Sequence, residues 1–108
     1  MLDHMTFRVA DIDKSLRFYQ AALAPLGYAV ANDFTHEGVR IVGLGRNGQT
    51  DTWLVAALPA TSGAHLAWRA GSQDEVQAFY RAALEAGGRD NGAPGPRPHY
   101  HEGYYGAF

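Results

Sequence analysis

HMTFRVADIDKSLRFYQAALAPLG, residues 4–27, returns as HLAWRAGSQDEVQAFYRAALEAGG at residues 65–88. The offset is 61 residues throughout, with no gap. His4 falls on His65, Arg8 on Arg69, Asp13 on Asp74, Phe18-Tyr19 on Phe79-Tyr80, Ala21-Ala22-Leu23 on Ala82-Ala83-Leu84, and Gly27 on Gly88. Self-similarity at a fixed period marks a duplicated supersecondary unit. Each copy opens with alternation: Met5, Phe7 and Val9 are apolar, whereas His4, Thr6 and Arg8 are polar. Period two predicts a strand with one buried face, and puts the histidine on the other. The second copy alternates likewise, with Leu66, Trp68 and Ala70 against His65, Ala67 and Arg69. A pseudo-twofold relation between the copies would bring His4 and His65 near one another.

Each strand leads into a helix. In the first copy Asp11 caps it, and Ile12, Leu16, Tyr19, Leu23 and Leu26 form an apolar stripe at three- and four-residue steps. Pro25 and Gly27 end it in a short irregular turn. In the second copy Ser72 and Glu75 spell a capping box, Val76, Phe79, Tyr80, Ala83 and Leu84 form the stripe, and Gly87-Gly88 stops it.

Between the copies, YAVANDF and VRIVGLG read as strands about the turn HEG. RNGQTD carries Asn47-Gly48, a strong hairpin signal. DTWLVAAL is a largely buried strand ended by Pro59. The first module is therefore βαβββ over residues 1–60, and the second runs over 61–108. After its helix the second module has a loop rich in Pro and Gly, RDNGAPGPRP, and then HYHEGYYGAF. Symmetry with the first module expects about a dozen more residues and one more strand. The expected fold is one α+β domain: two βαβββ modules in a U-shaped mixed sheet with helices on its outer face and the last strand missing.

Composition narrows the function classes. Apolar residues make up 46% and charged residues 19%, with a net charge of −2 and no run of like charges. Nucleic-acid and membrane-surface partners are not expected. No apolar run approaches the roughly 20 residues of a membrane span. The absence of cysteine excludes disulfides and thiolate chemistry, and fits the cytoplasm.

The chain is similar to the vicinal oxygen chelate superfamily, which includes glyoxalase I, bleomycin-resistance proteins and extradiol dioxygenases. The resemblance rests on LDHMTFRVADIDKSLRFY, on HLAWRAGSQDEVQAFY, and on PRPHYHEGYYGAF, which looks like the closing segment of bacterial glyoxalase-like members. It covers the whole chain and is specific for fold rather than reaction. It implies a divalent metal (Fe, Mn, Ni or Zn) held by His4, His65 and a glutamate that would lie beyond Phe108. It also implies a small oxygen-chelating substrate and a homodimer. Lyase, isomerase, transferase and dioxygenase chemistry are all open to such a site. A further glutamate on the fourth strand, as in glyoxalase I, has no counterpart within DTWLVAAL.

Other residues suit the binding of a substrate. Trp53 either packs in the core or floors a pocket for a flat molecule, and His101 and Tyr104 are expected in a loop at the cleft rim, in contact with substrate or merely exposed. His99 and Tyr105 lie beside them. Arg8 and Arg69 are expected to pair with nearby carboxylates. The alternative function is metal-free sequestration of a flat or cationic small molecule, as in bleomycin-resistance proteins.

Overall fold

In the computed structural model, which describes residues 1–108, the alternation at the N-terminus becomes strand β1, Met5–Val9. Helix α1, Ile12–Leu23, follows, and Asp11 accepts a hydrogen bond from the Lys14 amide at 3.1 Å. A 3-10 turn, Ala24–Leu26, carries Pro25 within it, and Gly27 closes it at φ 84°. Strands β2 (Ala29–His36), β3 (Val39–Arg46) and β4 (Gln49–Ala56) then form two successive hairpins. Both turns have two residues at positive φ, Glu37-Gly38 and Asn47-Gly48, the geometry that matches the twist of the flanking strands.

The sheet order is β1-β4-β3-β2. β1 lies parallel to β4 with Met5 opposite Thr52, Phe7 opposite Leu54 and Val9 opposite Ala56. The other pairs are antiparallel. One face of this mixed sheet meets α1. Leu23, Val42, Leu44 and Leu54 are wholly buried there, with Phe7, Ile12, Leu26 and Tyr28 around them. Each such side chain contributes about 2 kcal/mol by leaving water. Arg40 of β3 bridges Asp13 of α1 at 2.6 Å and Asp33 of β2 at 2.9 Å, across the solvent edge of the same layer. No helix is long and apolar enough to cross a membrane.

The architecture is α+β. The second half repeats the extended segment and the helix of the first and then departs from it. Residues 64–70 are extended and alternate in burial, as the repeat predicts, with Leu66, Trp68 and Ala70 turned to the core. They form no strand, because no neighbouring strand supplies their main-chain partners. From Ser62 to Ala70 no main-chain group makes a main-chain hydrogen bond. Alternation selects an extended backbone with two faces; a ladder also needs a second backbone beside it.

Helix α2, Gln73–Glu85, packs against α1 and the 3-10 turn. Its capping box forms as expected: the Glu75 amide donates to Ser72 Oγ at 3.2 Å, and the Glu75 carboxylate accepts from the Gly71 amide at 2.6 Å. The closing segment is a hairpin of two very short strands, β5 (Gly95–Pro96) and β6 (Tyr105–Gly106). Its ladder is extended by main-chain bonds between Arg97 and Tyr104 and between Phe108 and both Asn91 and Gly92. The Arg97 guanidinium lies 5.6 Å from the centre of the Phe108 ring.

Candidate functional site

The sheet has a second face, which no helix covers. Residues paired across neighbouring strands share a face, so the register identifies those that look away from α1. They are Thr6 and Arg8 of β1, Trp53 and Val55 of β4, Ile41 and Gly43 of β3, and Asn32 and Phe34 of β2. Trp53 and Phe34 meet edge to face, with ring centres 6.3 Å apart and planes at 76°. Gly43 lies beneath the indole: a Cβ there would come within 2.8 Å of the Trp53 ring and 2.6 Å of the Thr50 methyl. A glycine is what allows the indole to lie flat against the sheet. Asn32 donates to Thr50 Oγ1 at 3.1 Å. The result is an aromatic platform with a polar margin, suited to stacking a flat molecule. Trp53, expected either in the core or as a pocket floor, lies on this open face. Phe34 was not singled out, because only the register shows that it meets Trp53.

The rear of the sheet fixes this platform through a chain of hydrogen bonds. Trp68 Nε1 donates to Thr52 Oγ1 at 3.1 Å, Thr52 donates to Asp51 at 2.9 Å, and Tyr28 donates its hydroxyl to the same carboxylate at 2.9 Å. Thr52 is wholly buried and fully satisfied by these contacts. The network ties the extended stretch of the second half to β4 of the first. Burial, followed by the bond to Asp51 and its negative charge, pushes the Tyr28 phenol up to about 12, against the opposing pull of Arg46. The unfolded phenol titrates near 10. The neutral phenol therefore supports the fold fully below about pH 10, and this support is lost as pH rises through about 12. Tyr28→Phe is expected to differ most from wild type in urea midpoint at pH 9, with the gap closing by pH 12; a gap independent of pH would show that Tyr28 does not titrate in this way.

The other sequence candidates are distributed as follows. His4 precedes β1, is exposed, and its Nδ1 lies 2.8 Å from Asp3. His65 is in the extended stretch, with its ring 5.5 Å from that of Phe108. No hydrogen bond joins the two histidines, and no group of three or more His, Cys, Asp or Glu side chains converges anywhere in the chain. The sole acid of β4, Asp51, is turned to Tyr28. The donor set within these 108 residues does not fit a divalent metal on its own.

His101 and Tyr104 lie in the closing hairpin, 5.2 Å apart edge to face, and His101 Nδ1 contacts the Glu102 carbonyl at 2.8 Å. With His65 and Phe108 they line a groove of about 860 Å³ between residues 61–73 and the hairpin. Trp53 is not among its lining residues. The five candidates thus fall in three places: His4 before β1, Trp53 on the open sheet face, and His65, His101 and Tyr104 in the groove. Arg8 pairs with a main-chain carbonyl, that of Leu58, rather than with a carboxylate. With the exchange of bonds between Arg8 and Thr61, this holds the loop that leads into the second half. Arg69 makes neither an ion pair nor a hydrogen bond.

The comparisons with known proteins agree on the fold. The family model described as Glyoxalase/Bleomycin resistance protein/Dioxygenase superfamily matches residues 1–108. Among solved structures, a glyoxalase/bleomycin resistance protein from Albidiferax ferrireducens T118 is 26% identical, with a TM-score of 0.72, over 91% of this chain and 82% of that one. UcmS2 is 22% identical, with a TM-score of 0.51, over 91% of this chain and 83% of its own, and shares the fold alone. A comparison with curated proteins finds no match. The match along the whole chain, on a βαβββ sheet and a second copy of its first strand and helix, places the protein in the glyoxalase/bleomycin resistance/dioxygenase superfamily.

Proposed function

We propose that the chain binds a flat, largely apolar small molecule on the open face of its sheet, without a metal ion to hold it. The observation that carries this reading is Trp53 lying over Gly43 and meeting Phe34 edge to face, on the side of the sheet away from α1. A planar ligand gains dispersion and hydrophobic contact from the indole, and Asn32 and Thr50 offer hydrogen bonds at its edge. The alternative is a metal-dependent enzyme with His4 and His65 among its ligands, which an affinity lost on chelation would favour.

Titration with bleomycin and a set of planar aromatic dyes, followed by tryptophan fluorescence and calorimetry, tests the proposal. Trp53→Ala is expected to weaken binding of the best of them about tenfold, a loss of about 1.4 kcal/mol. A chelator is expected to leave the affinity unchanged. Equal binding by wild type and Trp53→Ala would discard the platform, and a tenfold loss on chelation would return the ligand to a metal.

A further inference from the structure

We infer that the ligand of the open sheet face is an aromatic carboxylate, whose rings lie against Trp53 and whose carboxylate is taken by Arg8. The anion site rests on the Trp53 platform proposed above and adds the chemical class of what binds there. Arg8 shares the face with Trp53: it stands on β1 opposite Val55, which is two residues beyond Trp53 on β4. Val55 pairs with Ile41, and Ile41 with Phe34, so one row crosses the sheet from cation to aromatic ring. Trp53 and Gly43 stand in the neighbouring row. Strand spacing of about 4.8 Å puts Ile41 about 10 Å from Arg8 across the sheet, the span of a two-ring acid.

The charge on this face is one-sided. Arg8 is exposed and forms no ion pair. Its guanidinium meets only the Leu58 carbonyl, so the rest of the N–H fork has no protein acceptor. The strands of the sheet carry two carboxylates, and neither is offered to this face. Asp33 is held by Arg40 on the α1 side, and Asp51 accepts from Tyr28 and Thr52. Asp3, before β1, is engaged by His4 at 2.8 Å. The chain as a whole carries a net charge of −2, so the positive excess beside Val55 is local. A guanidinium at the end of an apolar row, with no carboxylate of its own, attracts an anion and repels a cation. A carboxylate takes the open side of the fork, while the Leu58 contact holds the guanidinium in place. A planar cation would find Trp53 but no opposite charge.

Calorimetric titration with 2-naphthoate, its neutral amide 2-naphthamide and the cation 2-naphthylmethylammonium is the test, because the three share their rings. Naphthoate is expected to bind about fivefold more tightly than the amide, the upper range for an exposed ion pair, and the cation more weakly than either. Arg8→Gln is expected to abolish the difference between naphthoate and amide, Arg8→Lys to keep part of it, and added salt to narrow it. Trp53→Ala is expected to weaken naphthoate and amide alike. The comparison of ligands is made on the wild-type chain, so it stands whether or not Arg8→Gln folds. Equal binding of naphthoate and amide, or tighter binding of the cation, with both lost in Trp53→Ala, would overturn the anion site and leave the platform standing. A preference for naphthoate that Arg8→Gln removes and Trp53→Ala leaves untouched would keep the anion site and discard the platform. No saturable binding of any of the three, or sedimentation showing a second copy seated on this face to the exclusion of naphthoate, would overturn both.

Discussion

Leu54→Ala is expected to lower the free energy of unfolding by about 3 kcal/mol. Leu54 is 0% exposed in the middle of β4. It stands opposite Phe7 on one side and Val42 on the other, so its side chain completes a row across three strands. Behind that row lies α1, whose Leu23 is also wholly buried. Truncation removes three methyl-sized groups from a layer bounded by sheet hydrogen bonds and by a helix capped at Asp11. Neither boundary can close over the void, so the cavity cost adds to the lost transfer energy. With a urea slope of about 1.5 kcal/mol/M, the midpoint should fall by about 2 M. The measurement is equilibrium urea unfolding, beside Val55→Ala as the neighbour on the open face. A loss below about 1 kcal/mol for Leu54→Ala, or an equal loss for Val55→Ala, would mean that the helix-covered layer is not the core.

That layer was legible in the sequence because its residues speak through period. Met5, Phe7 and Val9 alternate, the α1 stripe recurs at helical steps, and Asn47-Gly48 announces its own turn. What periodicity does not carry is the neighbour. The 65–70 stretch is extended with the faces the sequence assigns, yet it lies beside no strand. The approach of His4 to His65 is a matter of how the two halves meet, which no period within either half encodes. Trp53 could be assigned to a face from its position, but its contact with Phe34 depends on a register with shifts in both hairpins. The closing hairpin was read as a loop leading to a strand. Its order comes from main-chain bonds at Asn91, Gly92 and Arg97 to residues more than six positions further on. No short window of sequence reveals such pairings.

The register shift between Leu44 and Gly45 underlies the second large effect. There Leu44 faces Thr52 and Gly45 faces Thr50, so Asp51 is the extra residue of a β-bulge. The bulge lets Thr50 reach Asn32 while Asp51 turns to Tyr28 and Thr52. Gly45 has no room for a side chain. A Cβ would fall 2.1 Å from the Gln49 carbonyl oxygen and 2.7 Å from Thr50 Cα, both main-chain atoms that no rotamer change can move. Gly45→Ala is expected to cost about 3 kcal/mol, at the upper end for overpacking, since relief requires the hairpin to open at its bulge. Gly48→Ala is the control. It sits at φ 75° with open space around the added methyl, so its cost is conformational and about 1 kcal/mol. The two substitutions separate steric exclusion from backbone preference in one hairpin. Gly45→Ala should also release Asp51 from Tyr28, lowering the phenol part of the way and narrowing the stability difference between pH 9 and pH 12, while burial keeps the rest of the shift. Urea unfolding of both variants at the two pH values decides the matter: a Gly45→Ala loss no greater than that of Gly48→Ala, with the pH dependence intact, would show that the bulge does not hold the Asp51 carboxylate in place.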